Sequence, residues 1–392
     1  MKVLVVCSDF PYPADHGGRV DTWGRIKIMS ELGWDIDLAV CGKYEPSPAD
    51  LEAVKQVVNG VYLCGRSTGF TDLLSPLPLQ VQSRKRLRSL KVGSGYDHVL
   101  LEGDYVYPIL HNSQISGANI VLRVHNNESA YFKSLGRSAR KAAHKLYYLM
   151  ESIKFAGLQK KLAEHVDKYL FISSKEYDAF KNEYPHKGSL FLPPPITRET
   201  FETSSFTAKN VVFIGSLFMP NNREAVEWYL KHVHPRLLNE EGYKLIIAGN
   251  SRGQGTQWIT DYGLSRIEVH DTPKSLDDIY RSGYLFINPM RNGAGVKLKT
   301  IEAIQNGLPV VSTSVGCEGT GLVHREHIMI ADQPDDFCSA IKSLLDDRAY
   351  AGKLLTQSQN YIRKHYDHKA ILSGLFGGGV HAQREPLIKQ VL

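Results

Sequence analysis

Between Asn288 and Thr313 the chain reads Asn-Pro-Met-Arg-Asn-Gly-Ala-Gly-Val-Lys-Leu-Lys-Thr-Ile-Glu-Ala-Ile-Gln-Asn-Gly-Leu-Pro-Val-Val-Ser-Thr. This stretch narrows the choice of fold more than any other. It starts at the end of an apolar run, Tyr284–Asn288, that has strand character, and it turns through Gly293 and Gly295. Helical spacing opens at about Val296 and stops at Gly307-Leu-Pro309, and Val310–Thr313 reads as a second strand. Strand, glycine turn, helix, strand is the nucleotide-handling half of a βαβ unit. The glycines let backbone amides approach a ligand closely. The helix start adds free N–H groups and the positive end of a dipole, a combination that favours phosphate.

The same alternation runs through the rest of the chain. Residues 2–7 form an apolar run suited to a buried parallel strand, followed by a loop at 9–19 and helical spacing from Val20 to Leu32. Further strand-like runs lie at 35–40, 60–63, 98–101, 119–124, 168–173 and 189–192, with helical stretches at 49–57, 82–91, 138–163 and 175–183. Pro193-Pro-Pro195 and the poorly patterned segment 196–209 read as a linker. The pattern then restarts, with strands at 211–214, 243–248, 266–270, 284–288 and 328–330. An α/β chain of two Rossmann-like, doubly wound parallel sheets is expected, one in residues 1–195 and one in 207–365. With 392 residues the chain exceeds one ordinary core.

No run of 18 apolar residues exists, and the N-terminus lacks a signal peptide's layout. Five cysteines with no metal-type spacing fit free thiols in a reducing cytoplasm. The net charge of +6 is unevenly placed: residues 133–161 carry eight Lys/Arg against the single acid Glu151, and 84–91 is purely basic. These two segments suggest a surface for anionic lipid, with the protein peripheral on the inner face of a membrane. In 138–163, Leu146, Leu149, Met150, Ile153 and Leu158 recur at helical spacing, so an ordinary helix with a solvated basic face is the competing reading. Nucleic acid is not expected as a partner, since no recognised binding module accompanies the charge.

Polar residues follow several strands, where an open α/β sheet binds its ligand. Gly17 and Gly18 sit at the first strand–helix turn, but they make no GxGxxG, so a nicotinamide fingerprint is absent. Glu102 follows the 98–101 run. His125, Asn126 and Glu128 crowd one strand end, which favours a site role for His125. Ser173 and Ser174 fit helix caps. Lys299 and Glu302 lie three residues apart on one helix face. They form either a surface ion pair or, beside the glycine turn, a ligand pair. Asp277 and Asp278 read as acids at a helix N-terminus.

Phe213-Ile-Gly-Ser-Leu-Phe-Met-Pro-Asn-Asn222, Trp228, Pro235, Ile246-Ile-Ala-Gly249, the 288–313 stretch and Gly316-Cys-Glu-Gly319 together resemble glycosyltransferase family 4. The match is strongest over 210–345. The resemblance implies a GT-B fold, with two Rossmann-like domains facing across a cleft and the tail 366–392 packing back on the first. It implies a retaining, metal-independent hexosyltransferase using a nucleoside-diphosphate sugar, with a glycan or lipid-linked acceptor and no cofactor. His125, Lys299 and Glu302 are then the catalytic candidates: His125 by the reacting centre, Lys299 at the diphosphate, Glu302 on the ribose hydroxyls.

Donor-binding candidates are Gly17, Gly18, Arg19, Gly215, Ser216, Arg291, Gly293, Ala294, Gly295, Val296 and Lys297. Two departures from the family pattern stand out. Ala294 occupies the place of a carboxylate eight residues before Glu302, and Ser216 and Asn221 occupy places where many members carry Arg and Lys. Phosphate neutralisation then falls on Lys299, helped by Lys297, Arg291 or Arg19. The departures also leave open an inactive, nucleotide- or glycan-binding relative. An epimerase or phosphorylase on the same frame is a further alternative.

Overall fold

The computed structural model describes residues 1–376 apart from positions 16, 140, 197–199 and 294. The basic residue Arg140, the carboxylate-replacing Ala294 and the tail beyond 376 therefore lie outside the described residues. Two parallel sheets make up the molecule. The first contains β1 (Lys2–Cys7), β2 (Asp35–Gly42), β3 (Gly60–Gly65), β4 (His98–Glu102), β5 (Asn119–Val124), β6 (Lys168–Phe171) and β7 (Gly188–Phe191). Its order is β3-β2-β1-β4-β5-β6-β7. Around it lie α1 (Gly17–Glu31), α2 (Pro48–Lys55), α3 (Leu79–Gln82), α4 (Glu128–Ser138), α5 (Ala142–His165) and α6 (Ser174–Glu183).

The second sheet contains β8 (Asn210–Ile214), β9 (Lys244–Gly249), β10 (Ile267–Asp271), β11 (Leu285–Asn288), β12 (Val310–Ser312) and β13 (Met329–Ile330), in the order β10-β9-β8-β11-β12-β13. It is flanked by α7 (Pro220–His232), α8 (Gln257–Thr260), α9 (Asp277–Ser282), α10 (Leu298–Gln305) and α11 (Pro334–Asp346). Val3–Val6 and Leu285–Asn288 are buried along their lengths, as strands covered on both faces must be. In each sheet the chain winds outward one way, then returns to the opposite side of its first strand. That reversal opens a crevice at the strand C-termini. It lies between β1 and β4 in the first sheet and between β8 and β11 in the second.

After α12 (Arg348–His365), the short α13 (His368–Phe376) packs on the first sheet. Leu372 joins the core of Val3, Val5, Ile26 and Met29. Phe376 meets Trp34 edge-on at 5.1 Å, and Lys369 pairs with Glu31 at 2.9 Å.

Several local expectations need correction. The first helix begins at Gly17, so Gly17 and Gly18 form its opening turn instead of a loop. The 82–91 stretch is not one helix: α3 ends at Gln82 and a 3-10 turn covers Lys85–Ser89, because Arg84 leaves helical geometry (φ −104°, ψ 19°). The long basic helix starts at Ala142, separated from α4 by an extended Ala139 and Lys141. Ser173 stands at the start of α6 but makes no side-chain cap bond. The linker is not loose where it is described: Phe201 and Phe206 pack on the second core, and Glu202 N–H donates to the Gln305 carbonyl at 2.8 Å.

Candidate active site

The crevice of the first sheet is a cleft of about 360 Å³. Its walls come from Ser8 and Asp9 after β1, Gly18, Arg19 and Thr22 on α1, Glu102 to Tyr105 after β4, and His125, Asn126, Glu128 and Tyr131 after β5. Beneath it runs a buried ladder of charges. Arg123 donates to Asp21 at 2.8 and 3.1 Å, and Arg25 donates to Asp21 at 3.0 and 3.1 Å. Arg25 also reaches Glu102 at 2.7 Å, and His125 Nε2 lies 3.2 Å from Glu102. Asp21, Arg25 and Arg123 are fully buried, while His125 faces the cleft with a quarter of its side chain exposed.

Burial would raise the Asp21 carboxyl, but Arg123 and Arg25 outweigh it and hold it well below the usual carboxylate range. Glu102 is lowered in the same way, burial opposing and Arg25 and His125 prevailing. The two arginines and two carboxylates cancel, and His125 is left as the group the ladder presents to the cleft. Asp21, Glu102 and His125 have ligand-type atoms within 4.8 Å of one another. Arg25 and Arg123 already occupy the carboxylate faces, so the set is built as an ion-pair ladder and fits a divalent cation poorly. Burial, with the Glu128 and Glu176 carboxylates nearby, pushes Asp104 up to about 7 at the cleft wall.

The crevice of the second sheet is held open by glycines. A Cβ on Gly249 would sit 1.8 Å from the Gly215 carbonyl oxygen, and one on Gly215 would sit 2.9 Å from Lys299 Nζ. Lys299 occupies the space that Gly215 leaves. Its ammonium donates to Asn222 Oδ1 and lies 4.9 Å from the Phe213 ring centroid. Asn222 Nδ2 in turn donates to the Ser216 carbonyl at 3.0 Å. Burial, reinforced by the Lys297 charge, pulls Lys299 down to about 8; Glu302 works the other way.

The loop after β11 is tied from below. Asn288 is buried and donates to Thr300 Oγ1 at 3.0 Å and to the Gly316 carbonyl at 2.7 Å. Gly316 must lack a side chain, because its Cβ would fall 2.3 Å from the Asn288 carbonyl oxygen. Gly293 (φ +115°) needs glycine for its backbone and because a Cβ would meet Asn221 Nδ2 at 2.8 Å.

The helix after this loop starts at Leu298, two residues later than the spacing suggests, because Lys297 is non-helical (φ −91°, ψ 81°). Lys297 Nζ folds back onto the carbonyls of Gly293 (2.8 Å) and Gly295 (2.7 Å), so it braces the loop. Arg291 stacks its guanidinium over the Trp228 ring at 5.6 Å, and Arg19 pairs with Asp9 at 2.8 Å and Asp15 at 3.3 Å. Of the four cations considered for the diphosphate, Lys299 lies against Gly215 at the end of β8, with the Lys297 charge near it.

The two halves meet next to the loop. Lys175 on α6 pairs with Glu318 at 2.7 Å, and Ser174 N–H donates to the Gly319 carbonyl at 3.3 Å. A Cβ on Gly319 would touch both Ser173 Oγ and Val296 Cγ2 at 3.1 Å. Glu176, beside Lys175, accepts from Asn127 N–H at 3.0 Å. A short chain of contacts thus links the His125 strand end to Val296. The ladder residues Asp21, Arg25 and Arg123, and the loop ties Asn222, Asn288 and Thr300, are not among the sequence candidates. An arginine inside the apolar run Ile120–Val124 was the available signal for the ladder.

Residues 208–347 match the family model described as "Glycosyl transferases group 1". A Klebsiella pneumoniae protein described as "Uncharacterized 44.6 kDa protein in cps region" is 39% identical over 389 residues, 96% of this chain and 99% of that one. The chain belongs to the group 1 glycosyltransferases. Its GT-B fold is shared with the sucrose-phosphate synthase of Thermosynechococcus elongatus, at 14% identity and a TM-score of 0.63 over 96% of this chain and 98% of that one. It is also shared with Anabaena HepE in complex with UDP-glucose, at 12% identity and a TM-score of 0.60 with the same coverages. Among the described residues of this glycosyltransferase no helix is long and apolar enough to cross a membrane.

Proposed function

We propose that this group 1 glycosyltransferase moves a hexose from a nucleoside-diphosphate sugar to a glycan or lipid-linked acceptor during polysaccharide assembly. The cps-region relative and the UDP-glucose complex of a fold neighbour support the substrate classes. The observation that carries the reading is Lys299. It is a partly desolvated ammonium at the topological switch point, set against a glycine turn and one turn before Glu302.

In this reading the diphosphate lies over Gly215 and the 293–296 turn. It departs with the electron pair of the broken glycosidic bond. Lys299, the turn amides and the start of α10 meet the charge that develops, which is work a metal does elsewhere. Glu302 accepts hydrogen bonds from the ribose hydroxyls, which a carboxylate can do twice. His125, oriented by Glu102, faces the sugar and the acceptor hydroxyl across the cleft. The anomeric configuration is retained and no metal takes part. The protein works at the inner face of a membrane, through segments 84–91 and 133–161.

The test is a thermal-shift screen of nucleoside diphosphates and their sugars, followed by turnover with and without acceptor, with and without chelator. Donor binding with acceptor-dependent transfer is expected. Turnover without acceptor points to an epimerase. Binding with no turnover on any acceptor pool points to a pseudo-transferase.

A further inference from the structure

Helix α5 carries two apolar faces. The inner one, with Phe155, Leu158 and Leu162, is buried in the first core. The outer one consists of Leu146, Leu149, Met150 and Ile153, which are 59, 51, 40 and 64% exposed. At 3.6 residues per turn these four fall within about 100° of arc, on the side opposite Phe155. A helix on a water-facing surface presents polar residues there.

Beside this stripe stands Leu74, 85% exposed. Lys154 Nζ holds its turn against α5 by donating to the Leu73 carbonyl at 2.9 Å, and Lys85 pairs with Asp72 on the same turn at 2.9 Å. One lysine from each basic segment, Lys85 and Lys154, therefore meets the turn that carries Leu74. On the helical wheel the exposed Lys145 and Lys161 bracket the stripe and Lys160 lies in line with it, while Lys154 is largely covered and also pairs with Glu151 at 3.5 Å. The cleft opens nearby: Tyr131 lines it and is 46% exposed, and its neighbour Phe132 stacks on Phe155 of α5 at 5.1 Å.

We propose that the outer face of α5, with Leu74, inserts into the headgroup–acyl boundary of an anionic bilayer and sets the cleft mouth beside the membrane. This rests on the membrane reading above and deepens it, because it replaces simple charge attraction by insertion of named side chains. Charge complementarity selects the occupant: an apolar stripe bracketed by lysines matches acyl chains beneath anionic headgroups. A second copy of the chain would bring the lysines of both copies together.

The experiment is co-sedimentation of the full chain with vesicles of phosphatidylcholine, with and without phosphatidylglycerol, at low and high salt. The wild type should bind the anionic vesicles and keep part of its binding at high salt, since screening removes the electrostatic share alone. Leu149→Glu with Ile153→Glu should cut binding tenfold or more at both salts, with an unchanged melting temperature. Lys145→Gln with Lys160→Gln and Lys161→Gln should cut it at low salt only. If the glutamate pair binds like the wild type, insertion is wrong while the membrane reading stands. If the wild type ignores anionic vesicles, the membrane reading itself falls. A wild-type dimer in light scattering that the glutamate pair converts to monomer, without vesicle binding, assigns the face to self-association and overturns the proposal.

Discussion

The two crevices are built at the same point of the same topology and treat charge in opposite ways. In the first domain, Asp21, Arg25, Arg123 and Glu102 satisfy one another almost completely, and His125 is the group offered outward. In the second, Lys299 sits among a glycine, a ring face and an amide oxygen, with its basicity reduced. A paired ladder fixes geometry and asks for nothing further. A desolvated cation short of counter-charge becomes more comfortable when an anion arrives. Under the proposed function, the contrast would let one fold, used twice, offer a stiff wall to a neutral sugar or hydroxyl and a cradle to a diphosphate.

The largest expected effect breaks the stiff wall. Arg123→Met leaves Asp21 buried with one partner fewer and also removes the contact to the Leu192 carbonyl. A loss of about 3–5 kcal/mol in unfolding free energy is expected, as for other buried pairs opened from one side. Urea denaturation reads it directly. A loss under about 1 kcal/mol, typical of surface pairs, would show that the ladder is not structural.

Lys299→Ala addresses the other crevice and should do the reverse. The fold persists, because a desolvated charge is removed, while turnover drops by roughly 10²–10³, the usual scale for losing one electrostatic stabiliser of a leaving group. Steady-state kinetics and a melting curve together test this. Unchanged turnover would move the diphosphate away from the β8–β11 crevice. Glu302→Gln keeps the size of the side chain and removes its charge. Its expected cost is about 1.5–3 kcal/mol in donor affinity, the range for hydrogen bonds to a charged group, read by calorimetry with the nucleoside diphosphate.

The second crevice was largely legible in the sequence; in the first, wall residues such as Gly18, Arg19, Glu102 and His125 were legible, and the ladder beneath them was not. Gly293, Gly295, Lys299 and Glu302 lie within ten positions of one another, so turn chemistry and helical spacing report them together. Two links of the ladder span 77 and 102 positions, and no local pattern connects Arg123 to Asp21 or Arg25 to Glu102, although Asp21 and Arg25 stand four apart on one helix. Arg123 announced only that an apolar strand contains a charge in need of a partner. The helix start was read two residues early for a related reason, which lies in Lys297. Its rotation out of the helix is set by the carbonyls of Gly293 and Gly295, which helical spacing cannot register. In α5 the apolar spacing was visible, but inner and outer faces merged into one pattern until packing showed that Phe155 and Leu158 are covered and Leu149 and Ile153 are not.

The smallest expected effect is also the most specific to the contrast. With Lys299 pulled from 10.5 down to about 8 by burial, the unliganded protein carries this lysine neutral above that pH. Between about pH 8 and the ordinary lysine range the unfolded chain binds the extra proton, so Lys299 contributes stability that rises with pH there. Donor binding must run the other way: a diphosphate favours the charged ammonium, so binding takes up a proton and affinity falls as pH climbs past about 8, approaching tenfold per unit. Two opposed slopes from one residue are hard to imitate by general unfolding or by an exposed lysine, whose charge would not change in that window. Calorimetry in buffers of different ionisation enthalpy, from pH 7 to 9.5, should show the proton uptake in the wild type and none in Lys299→Ala. Parallel slopes for stability and affinity would mean that another group titrates, and that Lys299 is a structural lysine.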